Sequence, residues 1–232
     1  TNVEFVVTDG YSKVTKRSVT LTSASDSKTY DGNALTNHTV NADGFVDGQG
    51  ATYDVTGTIT NVGETDNTFT YTLNDNTNAD NYTIKKTEGK LKVTPVTNKV
   101  TVTVTGNTGS VTYDGNNHEV KGYTTSFSNG LYTATDFSFS GKAEASRTDA
   151  GKTAMGLKAD QFANTSKNFT NVEFVVTDGY SKVTKRSVTL TSASDSRVYN
   201  GKPLTNGKVT VSGDGFATGE GATYNVTGSQ TV

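Results

Sequence analysis

The sequence predicts an all-β protein built of tandem small modules, sandwich-like or β-grasp-like, strung into an elongated array. Three observations point there: a long internal duplication, apolar residues that alternate with threonine, and turn signals at short regular spacing. Residues 1–27 recur letter for letter at 170–196, an offset of 169. Self-similarity at a fixed period marks a repeat architecture. Further along, Tyr30-Asp31-Gly32 matches Tyr199-Asn200-Gly201, Gly44-Phe45 matches Gly215-Phe216, and Gly50-Ala51-Thr52-Tyr53 matches Gly221-Ala222-Thr223-Tyr224.

A weaker repeat lies inside the long one. Ser27 to Gly32 (SKTYDG) is similar to Ser110 to Gly115 (SVTYDG), Val62-Gly63-Glu64-Thr65 to Ala150-Gly151-Lys152-Thr153, and Asn81-Tyr82-Thr83 to Asn168-Phe169-Thr170. Each module is then about half the long period, the size of a small β domain. The boundaries that follow are residues 1–15 as the closing strands of a preceding B module, 16–96 as module A, 97–184 as a divergent module B, and 185–232 as an incomplete second A.

The strands are read from period-two alternation, which buries one face. Val3, Phe5 and Val7 alternate in this way, as do Phe69, Tyr71 and Leu73, Leu91 and Val93, and Val100, Val102 and Val104. Asp31-Gly32, Asn129-Gly130 and Asp178-Gly179 are turn dipeptides. Residues 142–161 are the one stretch that reads as room for a short helix.

Composition agrees with several thin cores rather than one thick one: hydrophobic residues make up 31%, Trp is absent and Met occurs once. Thr is about one residue in five and suits the solvent face of a strand. The net charge of -2, from 21 basic and 23 acidic residues, provides no basic stripe for nucleic acid. No apolar run is long enough to span a membrane, so no membrane contact is expected within this segment. The absence of cysteine removes disulfides, thiolate metal sites and Cys nucleophiles. A Cys-free, Thr/Asn/Gly-rich β chain reads as exported.

The Tyr-Asp-Gly opening, the Val-Gly-Glu-Thr turn, Ala79-Asp80-Asn81-Tyr82-Thr83 and the closing Glu88-Gly89-Lys90-Leu91-Lys92-Val93-Thr94-Pro95 together resemble the MBG/YDG repeat domains of large bacterial surface adhesins. Module A is similar nearly end to end; module B departs, with Phe169 for Tyr and Lys185 where A has Pro95. The resemblance implies mainly β modules in a long protein of the bacterial cell surface, a non-enzymatic stalk or spacer that projects a distal binding region, contributes to adhesion and is anchored to the cell wall outside this segment. The alternative is that the modules themselves bind a host glycan or protein, by strand addition or through tyrosines such as Tyr123 and Tyr132. Neighbouring modules are the expected partners, with self-association through open strand edges as a further one.

Comparing copies within the chain tests each candidate site. His38 faces Gly207-Lys208 in the second A, and His118 stands where module A has Leu35, so neither histidine is shared and both read as loop residues. Asp31 and Asp114 are carboxylates beside a tyrosine, yet the third copy has Asn200, and Asp54 is likewise Asn225. Asp and Asn share turn chemistry, but only Asp acts as a base or brings charge to a metal. Tyr30, Tyr113 and Tyr199 read as anchors that bury a ring. The oxygen-rich run 74–81 is a conceivable calcium loop, but it lacks EF-hand spacing and has Lys167 in the place of Asp80. Gly151-Lys152-Thr153 imitates the end of a phosphate loop without the Gly that should stand at Ser146. Lys16 and Lys185 recur near module starts, but no Lys-Asn-acid trio for an isopeptide cross-link stands out. No catalytic, cofactor or metal site is assigned.

Overall fold

The computed structural model describes residues 2–231, and its secondary structure is nearly all β. The first complete repeat holds β1 (Arg17–Ser23), β2 (Asp26–Thr29), β3 (Val40–Asp43), β4 (Ala51–Val55), β5 (Gly63–Asn67), β6 (Phe69–Leu73), β7 (Tyr82–Thr87) and β8 (Gly89–Thr94), with a 3-10 turn at Ala79–Asn81. The second holds β9 (Val100–Gly106), β10 (Thr108–Thr112), β11 (His118–Lys121), β12 (Tyr123–Phe127), β13 (Phe137–Phe139), β14 (Glu144–Arg147), β15 (Gly151–Ala154), β16 (Phe162–Asn164), β17 (Val172–Thr177) and β18 (Tyr180–Thr184), with a 3-10 turn at Ala159–Gln161. The last part has β19 (Val188–Ser192) and β20 (Val209–Gly213). Among the described residues these form small sheets of two or three strands and no barrel.

Both complete repeats are organised around one long parallel ladder. In the first, β1 pairs with β7 and β2 with β8, and the partner always lies 65 residues on, Arg17 with Tyr82 and Asp26 with Leu91. In the second, β9 pairs with β17 and β10 with β18 at a constant 72 residues, Val100 with Val172 and Thr108 with Tyr180. Constant register means that each ladder is one strand pair bent in the middle. A parallel pair requires a long crossover, and the segment between supplies the remaining strands. An antiparallel strand flanks each half: β3 beside β1 and β5 beside β8, then β12 beside β9 and β15 beside β18.

The bend needs glycine. A Cβ on Gly89 would overlap Ser23 O and the carbonyl of Ala24, and one on Gly179 would overlap Asn107 O and the backbone of Gly106. In the first repeat the bend is fastened by Ser23, whose Oγ donates to Asn67 O (2.6 Å) and accepts from Gly89 N (2.9 Å). Asn67, fully buried, donates through Nδ2 to Ala24 O and Asn37 O.

The expected alternations become strands at β6, β8 and β9, with Val100, Val102 and Val104 buried. The first repeat has a mixed core of Val19, Leu21, Val55, Phe69 and Tyr82, with a second cluster of Leu35, Leu91 and Val93. The second repeat is lined by aromatic contacts, among them Phe162 stacked on Phe139 (4.7 Å) and Phe174 (5.7 Å). Residues 142–161 hold β14, β15 and a single 3-10 turn rather than a longer helix. Alternation over Lys152, Thr153 and Ala154 fits a strand laid against β18, and Gly151 and Gly156 break any helical run.

The chain divides into two compact units: residues 1–99 with 166–171, and residues 100–165 with 172–232. Segment 166–171, which belongs by sequence to the second repeat, therefore folds with the first unit. Val96 N donates to Asn168 O and Thr170 N to Val96 O. Of the segment 1–15 expected as closing strands, residue 1 lies outside the described residues and 2–15 form no strand, with Phe5, Val7 and Tyr11 exposed. The identical letters at 172–184 do form β17 and β18, because β9 and β10 stand ready to pair with them.

Candidate functional site

The Tyr-Asp-Gly turns are the most regular local feature. Gly32, Gly115 and Gly201 have φ of 81°, 83° and 72°, a region closed to residues with a Cβ except at a cost. The residue before each glycine closes the turn with its side chain: Asp31 Oδ1 accepts from Asn33 N (2.9 Å), Asp114 Oδ1 from Asn116 N (2.9 Å), and Asn200 Oδ1 from Lys202 N (3.2 Å). Asp and Asn do the same work here, which explains their exchange between copies. The turn does not connect two paired strands, since β2 before it pairs with β8; it redirects the chain into the crossover.

A nitrogen-bearing side chain reinforces each turn by a different route. Lys28 Nζ meets Asp31 Oδ1 (2.7 Å) and Asn33 O (2.8 Å), and Arg197, at the same place in the third copy, donates to Lys202 O. In the second copy Val111 replaces that lysine, and His118 Nε2 meets Asp114 Oδ1 instead (2.8 Å). The Asn116 backbone N–H and then His118 hold the Asp114 carboxyl down to about 2, and Lys28 followed by the Asn33 N–H lowers that of Asp31. Lowered carboxyls in an open turn are structural anions, and poor bases.

The other candidates are drawn into the fold in similar ways. His38 is exposed. Run 74–81 is tied to the neighbouring loop, with Asn76 Nδ2 donating to Gly48 O, Gly50 N to Thr77 Oγ1, and Asp80 N to Asn78 Oδ1. Among the described residues no three His, Asp or Glu side chains gather in a cluster. Gly151-Lys152-Thr153 lies in β15, and Lys152 Nζ sits 3.9 Å from the Tyr180 ring centre. Lys16 and Lys185 are exposed.

Two expectations about tyrosine are corrected. Tyr132 is buried, its hydroxyl donating to Asp136 O and Asn164 Oδ1, and burial raises it to about 12. Tyr123 is half-buried against Phe139 and Phe162. Both serve the aromatic core, as large amphipathic rings do when their hydroxyl finds a partner. Conversely, Tyr199 is no buried anchor, being 75% exposed.

The arrangement with the clearest physical consequence is the pair of parallel ladders. The chain enters the first repeat at Arg17, where its ladder begins, and leaves at Thr94, where it ends; the second repeat runs likewise from Val100 to Thr184. Tension on the chain therefore slides one strand along the other and loads the rungs together. An antiparallel closure with both ends on one side would open rung by rung. Sequence reasoning missed this, because nothing in the letters of a strand names its partner or the direction in which the two run.

Compared with family models, curated proteins and solved structures, the chain finds no match. No helix among the described residues is long and apolar enough to cross a membrane.

Proposed function

We propose that the chain is a run of structural spacer modules from a bacterial cell-surface adhesin, standing a distal binding region off the surface and carrying tension along its length. The observation behind this reading is the parallel closure of each complete repeat by its own first and last strands. Such closure suits a module pulled by its ends, because the rungs share the load. Letter-for-letter duplication supports the same reading, since copying a spacer adds length without needing a new site. The exchange of Asp for Asn in the turns fits it too, because the turn survives while acid chemistry does not. In the rival reading, the modules bind a host glycan or protein, and the two tyrosines invoked for that role lie inside the fold.

Pulling the 232-residue chain by its ends is the test. Two unfolding events are expected, one releasing residues 17–94 and the other 100–184, each at a force well above that which opens 185–232. If the complete repeats yield at the same low force as 185–232, the spacer reading loses its support. Saturable binding of glycan or host protein by the same chain would favour the rival.

A further inference from the structure

The two complete repeats differ in how they reach their last ladder strands. In the first, β7 begins at Tyr82, directly after the 3-10 turn Ala79–Asn81. In the second, residues 162–171 intervene between the turn Ala159–Gln161 and Val172, where β17 begins. The first three of these form β16, whereas 166–171 fold with the first compact unit. Because turn and strand are contiguous in the first repeat, it has no segment at that place.

Segment 166–171 is recognised by side chain and backbone together. Phe169 is 2% exposed, and Tyr30 meets it edge-on with ring centres 5.7 Å apart and planes at 80°, an arrangement that aromatic pairs favour. Asn168 reads two neighbours at once: its Oδ1 accepts from Val62 N (2.9 Å) and its Nδ2 donates to Asn61 Oδ1 (3.1 Å). Val96 forms a parallel bridge with Phe169, and Asn171 Nδ2 donates to Thr97 O (3.3 Å). Tyr30 and Val62 themselves pack on the cluster of Leu35, Leu91 and Val93, so Phe169 extends a core of the first repeat. Both ends of the segment are held in the second repeat, where Thr165 N donates to Asp136 O (2.8 Å) and Val172 pairs with Val100. Fixed in this way, the segment docks with little further loss of chain entropy, and unfolding of the second repeat sets it free.

We propose that residues 166–171 are a strap by which the second repeat clasps the first, docking only while β16 and β17 are formed, so that each repeat stabilises the other. The surface that receives the strap takes an asparagine followed by an aromatic residue: a donor and an acceptor for the amide at Val62 and Asn61, and a ring for the ring at Tyr30. Coupling of this kind is reciprocal, because whatever the docked strap adds to the first repeat is also lost when the second one opens. It is the nearest-neighbour contribution to stability that links adjacent units of a repeat protein.

Amide hydrogen exchange on the full chain reads this coupling at rest, without force or ligand, so its outcome is separate from that of the spacer reading. Phe169→Ala should speed exchange about a hundredfold, as truncation of a buried aromatic does. The factor should be the same at Leu91 and Val93 in the first repeat and at Val102 and Val104 in the second. Asn168→Ala removes two hydrogen bonds and leaves both cores intact, and it should give the same two-sided pattern at about tenfold. Circular dichroism checks that the strands are retained in both variants. Faster exchange in the first repeat alone would mean that the strap docks whether or not the second is folded. Faster exchange in the second alone would mean that it serves only its own repeat. Either of these results, or no change in both repeats, would overturn the proposal.

Discussion

Two stretches of this chain have the same 27 letters and different structures. At 172–184 they make β17 and β18, with Val172, Phe174 and Val176 half-buried, whereas at 3–15 they make no strand and Phe5 is 85% exposed. Downstream the contrast reverses. Leu21 in β1 is fully buried between β3 and β7, while its twin Leu190 in β19 pairs only with β20 and is 48% exposed. Local propensity is identical in each comparison, so the partner strand decides. A strand is stabilised by its cross-strand neighbours and by burial more than by its own letters.

The sharpest way to break this comparison is at the ladder bend. Gly10 and Gly179 are the same letter of the duplicated segment, but a Cβ at Gly10 meets nothing within 4 Å while one at Gly179 runs into backbone. Gly179→Ala is expected to cost about 3 kcal/mol or more, because backbone cannot yield as a side chain can. Gly10→Ala should leave the melting temperature unchanged. Equal effects in thermal unfolding would contradict the ladder.

Next in size is the pair of leucines. Leu21→Ala should cost about 2–5 kcal/mol, the range for a truncated core residue, and Leu190→Ala less than about 1 kcal/mol. Urea unfolding of the two variants measures the difference. Ser23 and Ser192 extend the series: Ser23→Ala leaves the bend without its hydroxyl and should cost about 1–3 kcal/mol, while Ser192, exposed, should cost nothing measurable.

The smallest effect concerns pH and the turns. Asp114 is held at about 2, below its unfolded value of 3.8, so its contribution is present above that value and is lost as pH falls from about 4 to 2. Asp31, also lowered, acts with the same sign. Asp114→Asn should fold well, as the Asn200 turn suggests, and should flatten part of the acid-induced drop in melting temperature. A variant with the same acid slope as the parent would remove Asp114 from the account.

Much of this was legible from letters. The alternation at Val100, Val102 and Val104 located β9, and comparison of copies identified Asp31 and Asn200 as turn residues. What was not legible depends on long-range partners. Nothing local to residues 1–15 distinguishes them from 170–184, and nothing in the tyrosine spacing says that Tyr132 turns inward while Tyr199 turns out. Gly32 has the positive φ of a turn glycine whereas Gly130 and Gly179, in the other expected turn dipeptides, do not, and the role of the Gly32 turn in starting a crossover follows only from the pairing of β2 with β8.

The central claim is that partners, rather than local sequence, make these strands, and residue-resolved amide hydrogen exchange on the intact chain tests it most directly. The amide of Phe174, in β17 beside β9, should exchange on the order of a thousandfold more slowly than that of Phe5, which should exchange as in an unfolded chain. Equal protection at Phe5 and Phe174 would contradict the account.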